Sequence, residues 1–191
     1  MTAAATRRIA RPSGWYGMLI LVATESSLFG TLMATYVYLR FQTAVWPPRG
    51  VAAPSVTAPT VLALVLVASA LPMAYAARAA GRGDRRLALA GIACALVVQA
   101  VYLGFQVHLY FDDVSRFSPR LDAYSSIYFT LLAVHHIHVG IGILLDVWLL
   151  ARLSRRLTPY RRTAVAAVAF YWYFVAVVGL FVTATVLYPS W

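Results

Sequence analysis

A chain of 191 residues that is 62% hydrophobic and 12% charged, with a mean hydropathy of +0.75, lies far outside the soluble average. That composition excludes a water-soluble globular domain and points to an all-α integral membrane bundle, a single membrane domain over residues 1–191. The net charge of +10 invites a nucleic-acid partner, but all sixteen basic residues are Arg and they alternate by side along the chain, which excludes that reading.

Arg7, Arg8 and Arg11 precede the first apolar run, Gly14 to Leu39. Crossing a bilayer takes about 20 apolar residues. The run is too long for the apolar region of a secretory or twin-arginine signal, lacks a small-residue cleavage site, and is followed by four more spans, so it is read as a retained helix. Glu25 sits near its middle. An ionisable group at that depth is expensive and is by default a functional-site hypothesis with a partner to be named. Ser26, Gly30 and Ala34 form a small-residue stripe suited to close helix contact. Trp15 and Tyr16 on one side and Trp46 on the other bracket this helix as an interfacial belt.

The second span is Pro59 to Ala77, followed by Arg78, Arg82, Arg85 and Arg86. The third is Leu87 to Tyr110. It holds Cys94, the single cysteine, which allows no internal disulfide and is expected to be a small buried hydrophobe. Gln99 and Gln106 lie two turns apart and are expected to bond across helices, while His108 falls near the helix end. The fourth span, Tyr124 to Leu150, carries His135, His136 and His138 near its centre. Asp146 is expected to reach the cluster from Arg152 to Arg156. Arg161 and Arg162 follow, then the fifth span, Ala164 to Tyr188, where Tyr188 and Trp191 close the belt.

Twelve arginines fall on one side (Arg7, Arg8, Arg11; Arg78, Arg82, Arg85, Arg86; Arg152, Arg155, Arg156, Arg161, Arg162) and four on the other (Arg40, Arg49, Arg116, Arg120), the latter diluted by Asp112, Asp113 and Asp122. The positive-inside rule then predicts a cytoplasmic N-terminus and an outer C-terminus. Arg82, Arg85, Arg86, Arg155 and Arg156 are the expected contacts for anionic lipid heads.

Topology also gives depth. Glu25 lies eleven residues from the inner end of its helix and His138 twelve from the inner end of the fourth, or ~16 and ~18 Å at the helical rise. They therefore share a layer. His135 and His138, spaced i, i+3, share a face, whereas His136 points about a quarter-turn away. A hydrogen bond between Glu25 and His138 or His135 is expected, as a polar staple between helices, with a proton-linked role compatible with it. Metal or haem ligation is not expected: three histidines crowd one helix and no second span offers one at matching depth.

Several segments together resemble subunit III of the haem-copper oxidases. Trp15-Tyr-Gly-Met-Leu-Ile-Leu-Val-Ala-Thr-Glu25, with Leu28-Phe29-Gly30, Tyr36-Val-Tyr-Leu-Arg40 and Trp46-Pro-Pro, is similar to that family's Glu-bearing helix. Tyr124-Ser-Ser-Ile-Tyr-Phe-Thr130 leading to His135-His-Ile-His138-Val139 is similar to its His-x-x-His-Val helix. The likeness runs from about residue 14 to 188, and five spans imply the short form that lacks the first two of seven helices. One departure stands out: the family's Tyr-Trp-His-Phe-Val-Asp, with a later Trp, reads here Tyr171-Trp-Tyr173-Phe-Val-Ala176, with Gly179 at the Trp position. Nothing tied to that His and Asp carries over.

The resemblance implies a non-redox accessory subunit of a terminal oxidase in aerobic respiration, oxidising cytochrome c or quinol. Haem and copper are then expected in partner subunits and none in this chain. It further implies packing against subunits I and II in a hetero-oligomer of the bacterial plasma membrane, bound phospholipid, and support of proton uptake and turnover stability. Glu25, His135 and His138 match the family's buried polar cluster. Two other readings stay open: a subunit III-like partner of a nitric oxide reductase, and a haem b anchor of a reductase, which histidine placement opposes. A small transporter would show a broken-helix pair or inverted repeat, and neither is evident.

Overall fold

The computed structural model describes residues 13–48 and 56–187. Arg7, Arg8, Arg11, Arg49, Tyr188 and Trp191, to which the sequence assigns topological or interfacial roles, lie outside the described residues. Five helices account for almost everything else: α1 (Ser13–Gln42), α2 (Thr57–Arg82), α3 (Arg85–Arg116), α4 (Ala123–Leu153) and α5 (Pro159–Leu187). Among the described residues there is no strand. Each helix is long and apolar enough to cross a membrane, and the chain is an integral membrane protein.

The helices overrun the apolar runs because polar residues at their ends cap them. Asp84 accepts the N–H of Leu87 at 3.0 Å and opens α3, and Asp122 accepts that of Ser125 at 2.7 Å and opens α4. Between α2 and α3 only Gly83 and Asp84 turn the chain. Gly83 adopts φ 86°, and the N–H groups of Gly83 and Asp84 return to the carbonyls of Ala80 and Ala79, each at 3.0 Å. This is a Schellman closure, which favours a residue without Cβ at the left-handed position.

Helix α5 packs on α1, α2 and α4; α4 packs on α1, α3 and α5; α2 packs on α3 and α5. Helix α1 touches only α4 and α5 and exposes most of its surface. The core has two parts. One, toward the α2–α3 and α4–α5 loops, is rich in small residues, Ala76, Ala79, Ala80, Ala88 and Ala95, and also contains Trp172. The other, toward the α3–α4 loop, is aromatic: Phe29, Tyr36, Tyr124, Tyr128 and Phe129. In a bilayer lipid tails are as apolar as leucine, so these cores hold through close packing and hydrogen bonds, not through expulsion of water.

Both arginine-bearing loops meet at one end. Arg85 Nε donates to the Leu153 carbonyl at 2.7 Å and its Nη2 to that of Ser154, so Arg85 caps α4 across the bundle. Arg162 Nη1 reaches the Gly81 carbonyl at 3.5 Å and sits over the α2 turn. Cations at helix C-termini complement the exposed carbonyls and the macrodipole.

One expectation fails on helical phase, and one small-residue stripe finds no partner within the described residues. Cys94 is exposed on the outer side of α3, since Gly91, Ile92, Ala95 and Gln99 take the inward positions. Ser26, Gly30 and Ala34 face away from the bundle, and a side chain at Gly30 would meet nothing within 4 Å; no helix of this chain uses that stripe.

The closest approach in the core sets a test. A Cβ at Gly142 would lie 2.5 Å from Trp172 Cζ2, whereas one at Gly140 meets nothing within 4 Å. Gly142→Ala is expected to cost ~1–3 kcal/mol by overpacking, seen as a lower thermal midpoint of the detergent-solubilised protein. Gly140→Ala should leave that midpoint unchanged or slightly raised.

Candidate functional site

Near mid-membrane the structure joins α1 to α4. Glu25 Oε2 lies 3.0 Å from His138 Nε2. The other ring nitrogen, His138 Nδ1, lies 2.7 Å from the Val134 carbonyl. A carbonyl only accepts, so Nδ1 carries a proton. Nε2 then either accepts from a protonated Glu25 or, itself protonated, donates to a carboxylate. In both cases one proton lies between the two side chains and the pair has no net charge, which removes the main cost of placing an acid at this depth. Phe29 covers the pair, its ring 5.0 Å from that of His138. From α5, Tyr171 Oη donates to the His138 backbone carbonyl at 2.9 Å. Three helices thus fix the imidazole. Glu25 is only partly covered, its side chain 24% exposed on the flank of the bundle against 10% for His138.

His135 does not join Glu25. One turn away on α4, it faces α3 and α5. Its Nε2 lies 3.4 Å from Tyr102 Oη, to which Gln106 Nε2 donates at 3.1 Å. Gly179 makes room for it: a Cβ there would meet His135 Cε1 at 3.0 Å and Leu66 Cδ2 at 2.8 Å. Gln106 therefore bonds within α3 and not across helices. Gln99 does cross. With its amide nitrogen toward α4, it donates to Asp146 Oδ2 at 2.7 Å and to the Ala95 carbonyl at 3.2 Å.

The Gln99–Asp146 contact corrects the expectation that Asp146 reaches toward Arg152–Arg156. Asp146 is fully buried, with the Trp172 indole N–H beside it. The reason is angular. At ~100° per residue, Asp146 falls within ~20° of His135 on the inward face, whereas Arg152 falls ~120° away from Asp146 and Arg155 and Arg156 lie past the end of the helix. Sequence proximity suggested the arginines; the helical wheel would have pointed to α3.

Among the described residues no group of three His, Cys, Asp or Glu side chains converges as a metal site. At the arginine-rich end, a groove of about 180 Å³ between α1, α4 and α5 is lined by Gly14, Met18, Leu145, Trp148, Tyr160 and Ala164 among others. Trp148 and Tyr160 also border a second hollow with Arg152 and Arg161. Arg152 sits over the Trp148 ring, 5.6 Å from its centroid. Arg82, Arg86, Arg155 and Arg156 are exposed at the same end.

Comparison with known proteins places these features in context. The family described as cytochrome c oxidase subunit III matches residues 6–191. A cytochrome c oxidase subunit 3 of Thermostichus vulcanus is 32% identical over 175 residues, covering 90% of this chain and 85% of the relative. Cytochrome bo(3) ubiquinol oxidase subunit 3 of Pseudomonas aeruginosa is 27% identical over 175 residues, covering 91% and 83%. A cytochrome c oxidase subunit 3 of Corynebacterium diphtheriae is 30% identical over 174 residues, covering 87% and 84%.

The shared proton separates two variants of Glu25. In Glu25→Gln the amide N–H₂ can donate to His138 Nε2, so thermal stability should stay near wild type. In Glu25→Ala the imidazole loses its side-chain partner, and a loss of ~1–3 kcal/mol is expected. Thermal unfolding of the solubilised protein checks both, and equal midpoints for the two variants would remove the pair as a helix tie.

Proposed function

The chain belongs to the cytochrome c oxidase subunit III family, and from that premise we propose that it is the accessory, non-redox subunit of a bacterial haem-copper terminal oxidase. In this family the haem and copper centres sit in other subunits. The observation that carries the reading is the coincidence of a family match over residues 6–191 with the Glu25–His138 contact at 3.0 Å. Relatives include both cytochrome c and quinol oxidase subunits, so the electron donor is left to the catalytic subunits.

The proposed role has three parts. The first is packing against subunit I. The outward side of α1 presents Ile20, Leu28, Tyr38 and Phe41 beside the stripe Ser26, Gly30 and Ala34. Its hydroxyls are already satisfied by their own helix, as Ser26 Oγ on the Val22 carbonyl at 2.7 Å and Thr31 Oγ1 on that of Ser27 at 2.8 Å illustrate. Such a face approaches another helix without leaving donors unpaired. The second is lipid retention, with Arg155, Arg156, Arg82 and Arg86 attracting anionic heads at about 1 kcal/mol each while the groove beside Arg152 takes acyl chain. Arg85 contributes less, because its guanidinium is held by the α4 carbonyls. The third is support of proton uptake and long working life through Glu25, His138 and neighbouring His135. The positive-inside rule supports a cytoplasmic arginine-rich end, and the bacterial oxidase subunits among the relatives support a bacterial plasma membrane.

Purification in mild detergent should recover the chain with a larger haem-bearing membrane subunit whose reduced spectrum identifies an oxidase. A well-behaved monomer as the native form would overturn the assignment. In the assembled complex, Glu25→Gln is expected to keep subunit stoichiometry and initial oxygen consumption yet shorten the number of turnovers before inactivation several-fold. A wild-type lifetime in that complex would remove the proton role. Neutralising Arg155 and Arg156 together should lower anionic lipid retained in native mass spectra; unchanged retention would leave these arginines a topological role alone.

A further inference from the structure

At the end of the bundle opposite the arginines, a cavity of about 40 Å³ is lined by Gln106, Tyr110, Asp113, Tyr128, His136 and Thr183 among others. Tyr128 Oη donates to Asp113 Oδ2 at 2.6 Å. His136 is buried, its ring edge-on to Tyr110 at 5.8 Å, and its Nε2 has no protein partner. A buried ring nitrogen left unpaired is costly, and such groups call for a water or ion. The cavity exceeds the ~10–15 Å³ that a single water requires, and at ~30 Å³ per water in the liquid it takes roughly one or two where several polar groups converge.

We infer that this cavity is a hydrated, proton-exchanging site, in which roughly one or two waters join His136 Nε2 to the Asp113–Tyr128 pair. Asp113 is half-buried near the α3–α4 loop, so protons reach it from the aqueous side. In the exchange an O–H bond of the Asp113 acid breaks, protons shift along the waters, and an N–H bond forms at His136 Nε2. A neutral acid and imidazole become an ion pair, and the cavity gains no net charge.

The groups around it are few. α3 contributes Tyr110 and Asp113, with Asp112 and Arg116 nearby but paired to each other at 2.7 Å. α4 contributes Tyr128 and His136, with His135 next along the helix. α5 contributes Thr183, and α2 only Pro59. At the deep end, Gln106 and Tyr102 continue the hydrogen bonds to His135, one turn from the Glu25–His138 pair. Residue 136 gives no hint of this in the sequence beyond pointing a quarter-turn away from its neighbours.

Hydroxyl-radical footprinting of the chain in its own membrane, in ¹⁸O-water with peptide mass spectrometry, tests the waters whatever its partners are. Tyr128 and His136 should be oxidised several-fold faster than Tyr171 and Tyr36, which are as buried but bond to the His138 and Val186 carbonyls. Equal rates would overturn the site. His136→Phe should fill the cavity and bring Tyr128 labelling down to that of Tyr171; persistent labelling would show that His136 does not organise the waters. Infrared difference spectra between acid and alkaline buffer should contain an imidazole band in the wild type that His136→Phe abolishes. Its absence from the wild type would overturn the proton exchange. If the Phe variant fails to assemble, Asp113→Asn serves: it should keep the footprint and shift the imidazole band's pH dependence, and an unmoved band would disconnect Asp113 from His136.

Discussion

Within the hydrocarbon layer there is no water to satisfy a polar group, so every buried donor and acceptor of this bundle must find a partner on a helix or in an enclosed site. That constraint organises the packing more than apolar contact does. Glu25 ties α1 to α4 through His138, Gln99 ties α3 to α4 through Asp146, Tyr128 ties α4 to α3 through Asp113, and Tyr171 ties α5 to the His138 carbonyl. Tyr36 adds a link from α1 to the Val186 carbonyl of α5 at 3.3 Å. Four of the five involve α4. A helix that carries three histidines and an aspartate can be tolerated because α1, α3 and α5 cover its polar face, while apolar Ile137, Ile141, Leu144 and Val147 take its exposed side.

The flank position of α1 gives the Glu25–His138 pair its character. The imidazole is immobilised on three sides, by the Val134 carbonyl, by Phe29 and through Tyr171, while the carboxyl keeps part of its surface open. A fixed base beside a partly accessible acid is suited to a contact that changes when a neighbour docks, since covering Glu25 alters the solvation of one partner and hardly that of the other. A buried staple designed only for cohesion would gain more from covering both.

How much of this the sequence discloses depends on which physical signal each residue carries. The spans, the family and the shared depth of Glu25 and His138 were legible, because apolar length and an ionisable group at mid-membrane are strong, local signals. The choice between His138 and His135 was not, since both share a face; it is decided by Gly179 and Tyr102, which draw His135 toward α5 and α3. Asp146 departs from expectation because helical phase, not proximity in sequence, sets its partner, and Cys94 because composition says nothing of which side of a helix faces lipid. The cross-bundle cap by Arg85 was illegible for another reason: it needs the α2–α3 and α4–α5 loops to meet at one corner, which is a property of the assembled topology.

The packing of α5 follows the same terms. Gly179 leaves a space that Leu66 of α2 and the His135 ring occupy, so near that even a methyl group would press on both. One layer away the bulk lies on α5 itself: the Trp172 ring lies directly over Gly142 of α4, with its indole N–H beside Asp146. Large and small residues thus alternate between facing helices, Gly179 receiving α4 and α2, Gly142 receiving α5. Interdigitation of this kind lets helices approach closely enough for short side chains such as Gln99 to reach across. Tyr173 faces outward and is exposed, so it takes no part in this interdigitation.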